Sequence, residues 1–171
     1  MVIGNIAYVL GNDIMRKQTA LFTGHRTIPS AVLPMLTQRL DETISDLVAQ
    51  GVSVFVNGGA IGFDYLAAAA VLKLRETNHD VKLVIIQPCH DQDARWKLED
   101  QLAYRRLLNA ADRTVCLSES YFQGCMEARN KMMVEISGVC VAYFTRGRTG
   151  TAQTIRLACE QGLTVINLAE A

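Results

Sequence analysis

Four short stretches hold most of the side chains that could do chemistry, and each follows an apolar run. They are Thr23-Gly24-His25-Arg26, Asn57-Gly58-Gly59-Ala60-Ile61-Gly62-Phe63-Asp64, Ser118–Asn130 and Arg146-Gly147-Arg148-Thr149-Gly150-Thr151. Arg26 and Arg129 are suited to clamp a phosphate, because a guanidinium presents paired N–H donors in a fixed fork. The alternatives are a loop-tethering salt bridge for Arg26 and a surface ion pair for Arg129. His25 can bond a ligand or cap a neighbouring backbone group, and Asn130 stands beside Arg129 as a further polar contact. Gly24, Gly58 and Gly59 leave backbone N–H groups unobstructed, so a ligand can approach a helix N-terminus closely. Asp64 falls in a helix's first turn, where a carboxylate pairs favourably with the macrodipole. It would repel a phosphate placed directly on it, so a functional Asp64 accepts from ribose hydroxyls or holds a cation-bound water.

The last stretch combines Gly147 and Gly150 with the hydroxyls of Thr149 and Thr151 and opens a helix. That pattern reads as an anion cradle built on backbone N–H groups. If a reaction occurs, Asp64 and Glu119 are the carboxylates placed to serve it as catalytic groups. No G-x-G-x-x-G and no G-x-x-x-x-G-K-[ST] is present, so a standard dinucleotide fingerprint and a P-loop are excluded. Cys89-His90 with Asp91 and Asp93 is the one metal-like cluster, and it lacks paired-ligand spacing. Neither a metal nor a cofactor is expected.

Positioning these loops requires a scaffold of alternating elements. Strands are expected at Thr19–Thr23, Val52–Val56, Val81–Ile86, Arg113–Leu117, Val139–Phe144 and Leu163–Leu168. Helices are expected between them: from Ser30 as N-cap through Gln50, then Ile61–Arg75, Asp91–Asn109, Cys125–Ile136 and Thr151–Glu160. Gly51 and Gly162 suit the left-handed position that ends a helix. Nearly continuous apolar strands alternating with helices mean a mainly parallel sheet covered on both faces, here a single doubly wound α/β, Rossmann-like domain. Ligands of such sheets sit at the carboxyl ends of the strands, which is where the four loaded stretches fall.

Composition narrows the classes further. The chain has 171 residues, 50% hydrophobic and 20% charged, which suits one packed domain and excludes a disordered chain. Lys plus Arg and Asp plus Glu are 17 each. Without a basic excess, general nucleic-acid binding is not expected, while a small anion needs only a local patch. Residues 1–18 read as an N-terminal extension, a short strand or hairpin, ahead of the domain at 19–171. The apolar stretch in that extension is too short for a membrane span. Five widely spaced cysteines without C-x-x-C read as thiols of a reducing, cytoplasmic compartment. The high apolar content, with Trp96 among leucines, suggests a homodimer or higher homo-oligomer.

Taken together the loops resemble the SMF/DprA–LOG (SLOG) superfamily, specifically its YpsA-like branch. The matching pieces are FTGHR at Phe22–Arg26, GGAIGFD at Gly58–Asp64, QDARW at Gln92–Trp96, Tyr104, AD at Ala111–Asp112 and GCMEARNKMMV at Gly124–Val134. The resemblance spans residues 19 to about 168. It implies a Rossmann-like fold that binds a nucleotide or nucleotide-derived small molecule, as a sensor or ligand-binding module. The LOG branch contains phosphoribohydrolases, which implies as an alternative a nucleotide N-glycosidic-bond hydrolase. Against that branch's P-G-G-x-G-T-x-x-E pattern, Gly147, Gly150 and Thr151 match. Arg146, Arg148 and Thr154 replace the proline, the second glycine and the glutamate. Arg129 resembles that branch's active-site arginine. Thr154 supplies no carboxylate to a reacting ribose. The DprA branch binds single-stranded DNA, for which this chain lacks the basic surplus.

Overall fold

The computed structural model of the protein describes residues 12–169. Its helices and strands alternate in the order α1 (Asn12–Lys17), β1 (Thr19–Gly24), α2 (Leu33–Ala49), β2 (Val54–Asn57), α3 (Phe63–Arg75), β3 (Lys82–Gln87), α4 (Leu98–Ala110), β4 (Arg113–Cys116), α5 (Cys125–Glu135), β5 (Val139–Tyr143), α6 (Gly150–Glu160) and β6 (Thr164–Asn167). The six strands form one sheet in the order β4-β3-β2-β1-β5-β6. Every neighbouring pair is parallel. The chain winds outward from β1 to β4, then α5 carries it back to β5 on the other side of β1. The strand order therefore reverses between β1 and β5.

Alternation along the strands divides the core. Ala20, Phe22, Phe55, Leu83 and Ile85 point to the face covered by α2, α3 and α4, where they meet Leu36, Leu40, Phe63, Ala67 and Leu107. Leu21, Val56, Val84, Ile86 and Cys140 point to the other face, against Met132, Met133 and Val134 of α5 and Ala158 of α6. Phe22 stacks on Phe55 at 5.7 Å between ring centroids and meets Phe63 edge-on at 6.4 Å. Each such ring contributes ~1.5–3 kcal/mol by leaving water. Its position also fixes where α3 begins relative to the end of β1.

Local chemistry moves several boundaries. Ser30 does not cap α2: Ser30–Val32 forms a 3-10 turn, and the α-helix starts at Leu33 with no side-chain cap. Pro34 explains the shift, since a proline without an N–H is accommodated in a first turn. The helix expected over Asp91–Asn109 begins only at Leu98. Residues 91–96 instead make tight turns, with Ala94 N–H on Asp91 O (3.1 Å) and Trp96 N–H on Asp93 O (2.9 Å). α3 opens at Phe63 rather than Ile61, because Gly62 sits at φ +84° and a helix cannot pass through that conformation. Within the N-terminal extension, 12–17 is a helix rather than a strand or hairpin. It is anchored by Arg16 Nε donating to Ser137 O at 2.9 Å. The rest of the extension lies outside the described residues.

Candidate functional site

A cavity of about 380 Å³ opens at the reversal of strand order, above the carboxyl ends of β1 and β5. Its walls come from the loop after β1 (Thr23, Gly24, His25, Arg26), from Ala60 and Asp64 at the start of α3, and from Met126, Arg129, Asn130 and Met133 of α5. Thr149, Gly150 and Thr151 at the start of α6 close it. Ligand cavities in proteins run from ~300 to 1,000 Å³, so this one suits a small molecule.

Arg129 is the cavity's most constrained cation. It is only 6% exposed. Nη1 donates to the Gly58 carbonyl at 3.0 Å and Nε to Asn130 Oδ1 at 2.8 Å. Its Nη2 has no protein acceptor, and no carboxylate lies within 4 Å of the guanidinium among the described residues. Burial pulls its pKa below the usual arginine value, opposed by the field of Asp64. The glycine at position 58 makes this possible, since a Cβ there would overlap the guanidinium. The surface ion pair with Glu127 or Glu135 does not form; Glu135 pairs with Lys131 instead (3.8 Å).

Asp64 is the matching anion, also 6% exposed. Burial lifts its carboxyl to about 6, opposed by Arg129, by the Ala60 and Gly58 N–H groups and by Arg26. The Ala60 N–H donates to Oδ2 at a long 3.4 Å. Asn57 holds the turn in place. Its Nδ2 donates to Asp64 O at 2.9 Å, and its Oδ1 accepts from the Gly59 N–H at 2.8 Å.

The loop after β1 is pinned from both sides. His25 N–H donates to Tyr143 O and His25 O accepts from the Phe63 N–H, both at 3.1 Å. His25 Nε2 accepts from the Thr145 N–H at 3.0 Å, so the ring caps a backbone group while its side lines the cavity. Arg26 is exposed and enters no ion pair among the described residues, so it is not a salt-bridged tether. Across the cavity Thr149 caps α6, its Oγ1 accepting from the Ala152 N–H at 3.3 Å. The Gly150 and Thr151 N–H groups, in the first turn, have no intrahelical acceptor. Thr154 is buried and donates to Gly150 O at 2.9 Å, so its hydroxyl is committed to its own helix.

The structure therefore gathers Gly24, His25, Arg26, Asp64, Arg129, Asn130, Thr149, Gly150 and Thr151 around one cavity. Four expected residues fall elsewhere. Gly58 is set behind the wall, its carbonyl accepting from Arg129. Gly59 at φ +65° makes room for the Tyr104 ring rather than for a ligand. Gly147 turns the exposed loop ahead of α6. Glu119 is 94% exposed beside His90 (3.6 Å) after the edge strand β4, away from the cavity. The sequence assigned no role to Asn57 or to Gln92, whose Nε2 donates to the Gly58 carbonyl at 3.0 Å. A polar residue ending an apolar strand was the available signal for Asn57. Met126 and Met133 gave none, since helix methionines read as core. Cys89 is buried against Asp91 and Cys125, and burial with those contacts pushes its thiol up to about 12.

Comparison with known proteins agrees with this architecture. The chain is 28% identical over 116 residues to the SPbeta prophage-derived protein YoqJ of Bacillus subtilis, covering 61% of this chain and 68% of YoqJ. It is 27% identical over 111 residues to the UPF0398 protein BH1768 of Halalkalibacterium halodurans, covering 63% of this chain and 59% of that one. Among solved structures, DNA processing protein A from Helicobacter pylori, described for its single-stranded DNA binding mode, superposes with a TM-score of 0.61. That match has 21% identity and covers 91% of this chain and 68% of that one. The structural-genomics target TM1055 superposes with a TM-score of 0.56 at 17% identity, covering 90% and 78%. These likenesses place the fold among Rossmann-like α/β sheets. The model of the YspA SLOG family matches residues 28–162, most of the chain and every element that builds the cavity except β1 and its loop, and the protein belongs to that family.

Proposed function

We infer that the protein binds a nucleotide or nucleotide-derived small molecule in the cavity between β1 and β5, as a sensor or ligand-binding module. One observation carries this reading. Arg129 is buried, held by two hydrogen bonds, still has its Nη2 donors uncommitted, and lines a cavity that also holds Arg26. Burying a cation without an ion-pair partner is costly, and an anionic ligand relieves that cost. The phosphate lies toward Gly150 and Thr151, whose N–H groups and helix dipole favour an anion. Beside an ionised Asp64 it would meet repulsion of about 4 kcal/mol per charge pair at 4 Å in a partly screened site. The test is a titration with inorganic phosphate and with nucleoside monophosphates, followed by amide chemical shifts. Gly150 and Thr151 are expected to move. Ala152, whose N–H is taken by Thr149, is expected to move less. Shifts elsewhere with none at Gly150 and Thr151 overturn the placement. Gly150→Val is expected to block binding and keep the fold, since a Cβ there meets nothing closer than Asn130 Nδ2 at 3.9 Å.

A second reading, hydrolysis of a nucleotide's N-glycosidic bond, is favoured by Asp64. A carboxyl lifted to about 6 inside a cavity is suited to general acid or base work. Base release from a nucleotide panel, abolished by Asp64→Asn, tests it. No release from any nucleotide returns the protein to binding alone.

Nucleic acid is not expected as a partner, and a homo-oligomer is the proposed assembly. The balanced charge supports the first. Exposure of Leu98 (69%) and Leu102 (43%) on α4 supports the second. The first is overturned by a steeply salt-dependent DNA affinity, and the second by light scattering that returns the mass of one chain. Among the described residues no helix is long and apolar enough to cross a membrane.

A further inference from the structure

The cavity has two chemically unlike ends. On the β5 side, Gly150 and Thr151 offer backbone and hydroxyl donors. On the β2 side stands the Asp64 carboxylate, and Arg129, whose charge acts on it, lines the same cavity. The ends belong to strands on either side of β1. β2 and β5, which carry the two ends, lie two strand spacings apart in the sheet, roughly 10 Å.

Asp64 is an acceptor short of donors. It is buried, the Ala60 N–H reaches it only at a long 3.4 Å, the Gly58 N–H is its other backbone neighbour, and no cation lies within 4 Å of its oxygens among the described residues, so most of its lone pairs stay open. An ionised carboxylate accepts only, so it is complemented by groups that carry protons. Phosphate oxygens do not, whereas adjacent hydroxyls of a pentose do. We propose that Asp64 receives the vicinal hydroxyls of a ribose whose 5-phosphate lies at the α6 end, so the site selects ribose phosphates over 2-deoxyribose phosphates. This rests on the phosphate reading above and names the class of ligand that fits it. The lift of the Asp64 carboxyl accords with it, because hydroxyl donors would restore the solvation that burial removed.

Calorimetry on the full chain with ribose 5-phosphate, 2-deoxyribose 5-phosphate and inorganic phosphate, in buffer containing EDTA, tests the proposal. Ribose 5-phosphate is expected to bind roughly tenfold to hundredfold tighter than its deoxy analogue, the effect of one hydrogen bond to a charged group. In Asp64→Asn the ratio should shrink to roughly threefold or less, while inorganic phosphate binds at least as well as before. Equal affinities for the two sugars in the unaltered chain overturn the proposal and leave the phosphate reading standing. Preference for ribose that survives Asp64→Asn also overturns it, placing the selection on another group. Failure of all three probes, inorganic phosphate included, overturns the phosphate reading itself. The comparison within the unaltered chain needs no variant to fold.

Discussion

Two arginine–aspartate pairs in this molecule are built in opposite ways. Arg75 at the end of α3 and Asp112 ahead of β4 meet directly, Nη1 to Oδ2 at 2.7 Å, with Lys82 adding a contact at 3.7 Å. The Leu83 N–H donates to the same carboxylate at 2.9 Å. Partial burial raises the Asp112 carboxyl, but the Leu83 bond and the Arg75 and Lys82 charges outweigh it and leave it below its ordinary value. Arg129 and Asp64 are far more buried, share a cavity, and do not touch within 4 Å. Burial wins there, and the carboxyl rises. A pair that satisfies itself holds elements together. A pair held apart at a cavity leaves donors and acceptors uncommitted, at a cost to the fold.

The largest expected effect tests that cost. Raising the Asp64 carboxyl to about 6 disfavours its ionised form in the fold. The penalty is absent below the ordinary carboxylate value, grows as pH rises through the window up to about 6, and is complete above it. Asp64→Asn is therefore expected to stabilise the unliganded protein by up to about 3 kcal/mol near pH 8 and by little near pH 4. Urea unfolding across that range checks it, and a variant destabilised at both ends would mean that Asp64 is structural. The reciprocal change comes next. Arg129→Met should weaken inorganic phosphate roughly tenfold to hundredfold, since a charge-assisted bond contributes ~1.5–3 kcal/mol. Calorimetry reads this directly, and unchanged affinity removes Arg129 from the site.

The self-satisfied pair should respond with the opposite sign and less strongly. Asp112→Asn is expected to lose about 1 kcal/mol at neutral pH, because the pair is partly exposed and screened. The loss should fade in acid, as a carboxyl held below its ordinary value contributes only while ionised. A stabilised Asp112→Asn would erase the contrast between the two pairs. The smallest effect belongs to Arg26, which is exposed. Arg26→Ala should weaken phosphate about threefold at low salt and less at high salt, as solvent-screened charges do. A salt-independent loss would mean that Arg26 makes a desolvated contact.

The amino-acid sequence by itself determined the layer architecture. Short apolar runs and amphipathic stretches alternate too regularly for another class, and every expected strand overlaps an observed one. It also marked which loops are rich in glycines, arginines and hydroxyls, because these cluster after those runs. Tertiary structure decided which loops share a site. The strand order turns back between β1 and β5. This brings the residues after β1, β2 and β5 together with α5 and leaves Glu119 beyond the far edge. No local pattern encodes that order, since it depends on which face each crossover covers. Tertiary packing likewise decided what each glycine is for. Gly58 and Gly59 both read as room for a ligand, yet one admits the Arg129 guanidinium and the other the Tyr104 ring. Whether an arginine becomes a surface ion pair or a buried, half-committed donor is set by its neighbours in space. For Arg129 those neighbours lie 71 residues away, at the Gly58 carbonyl.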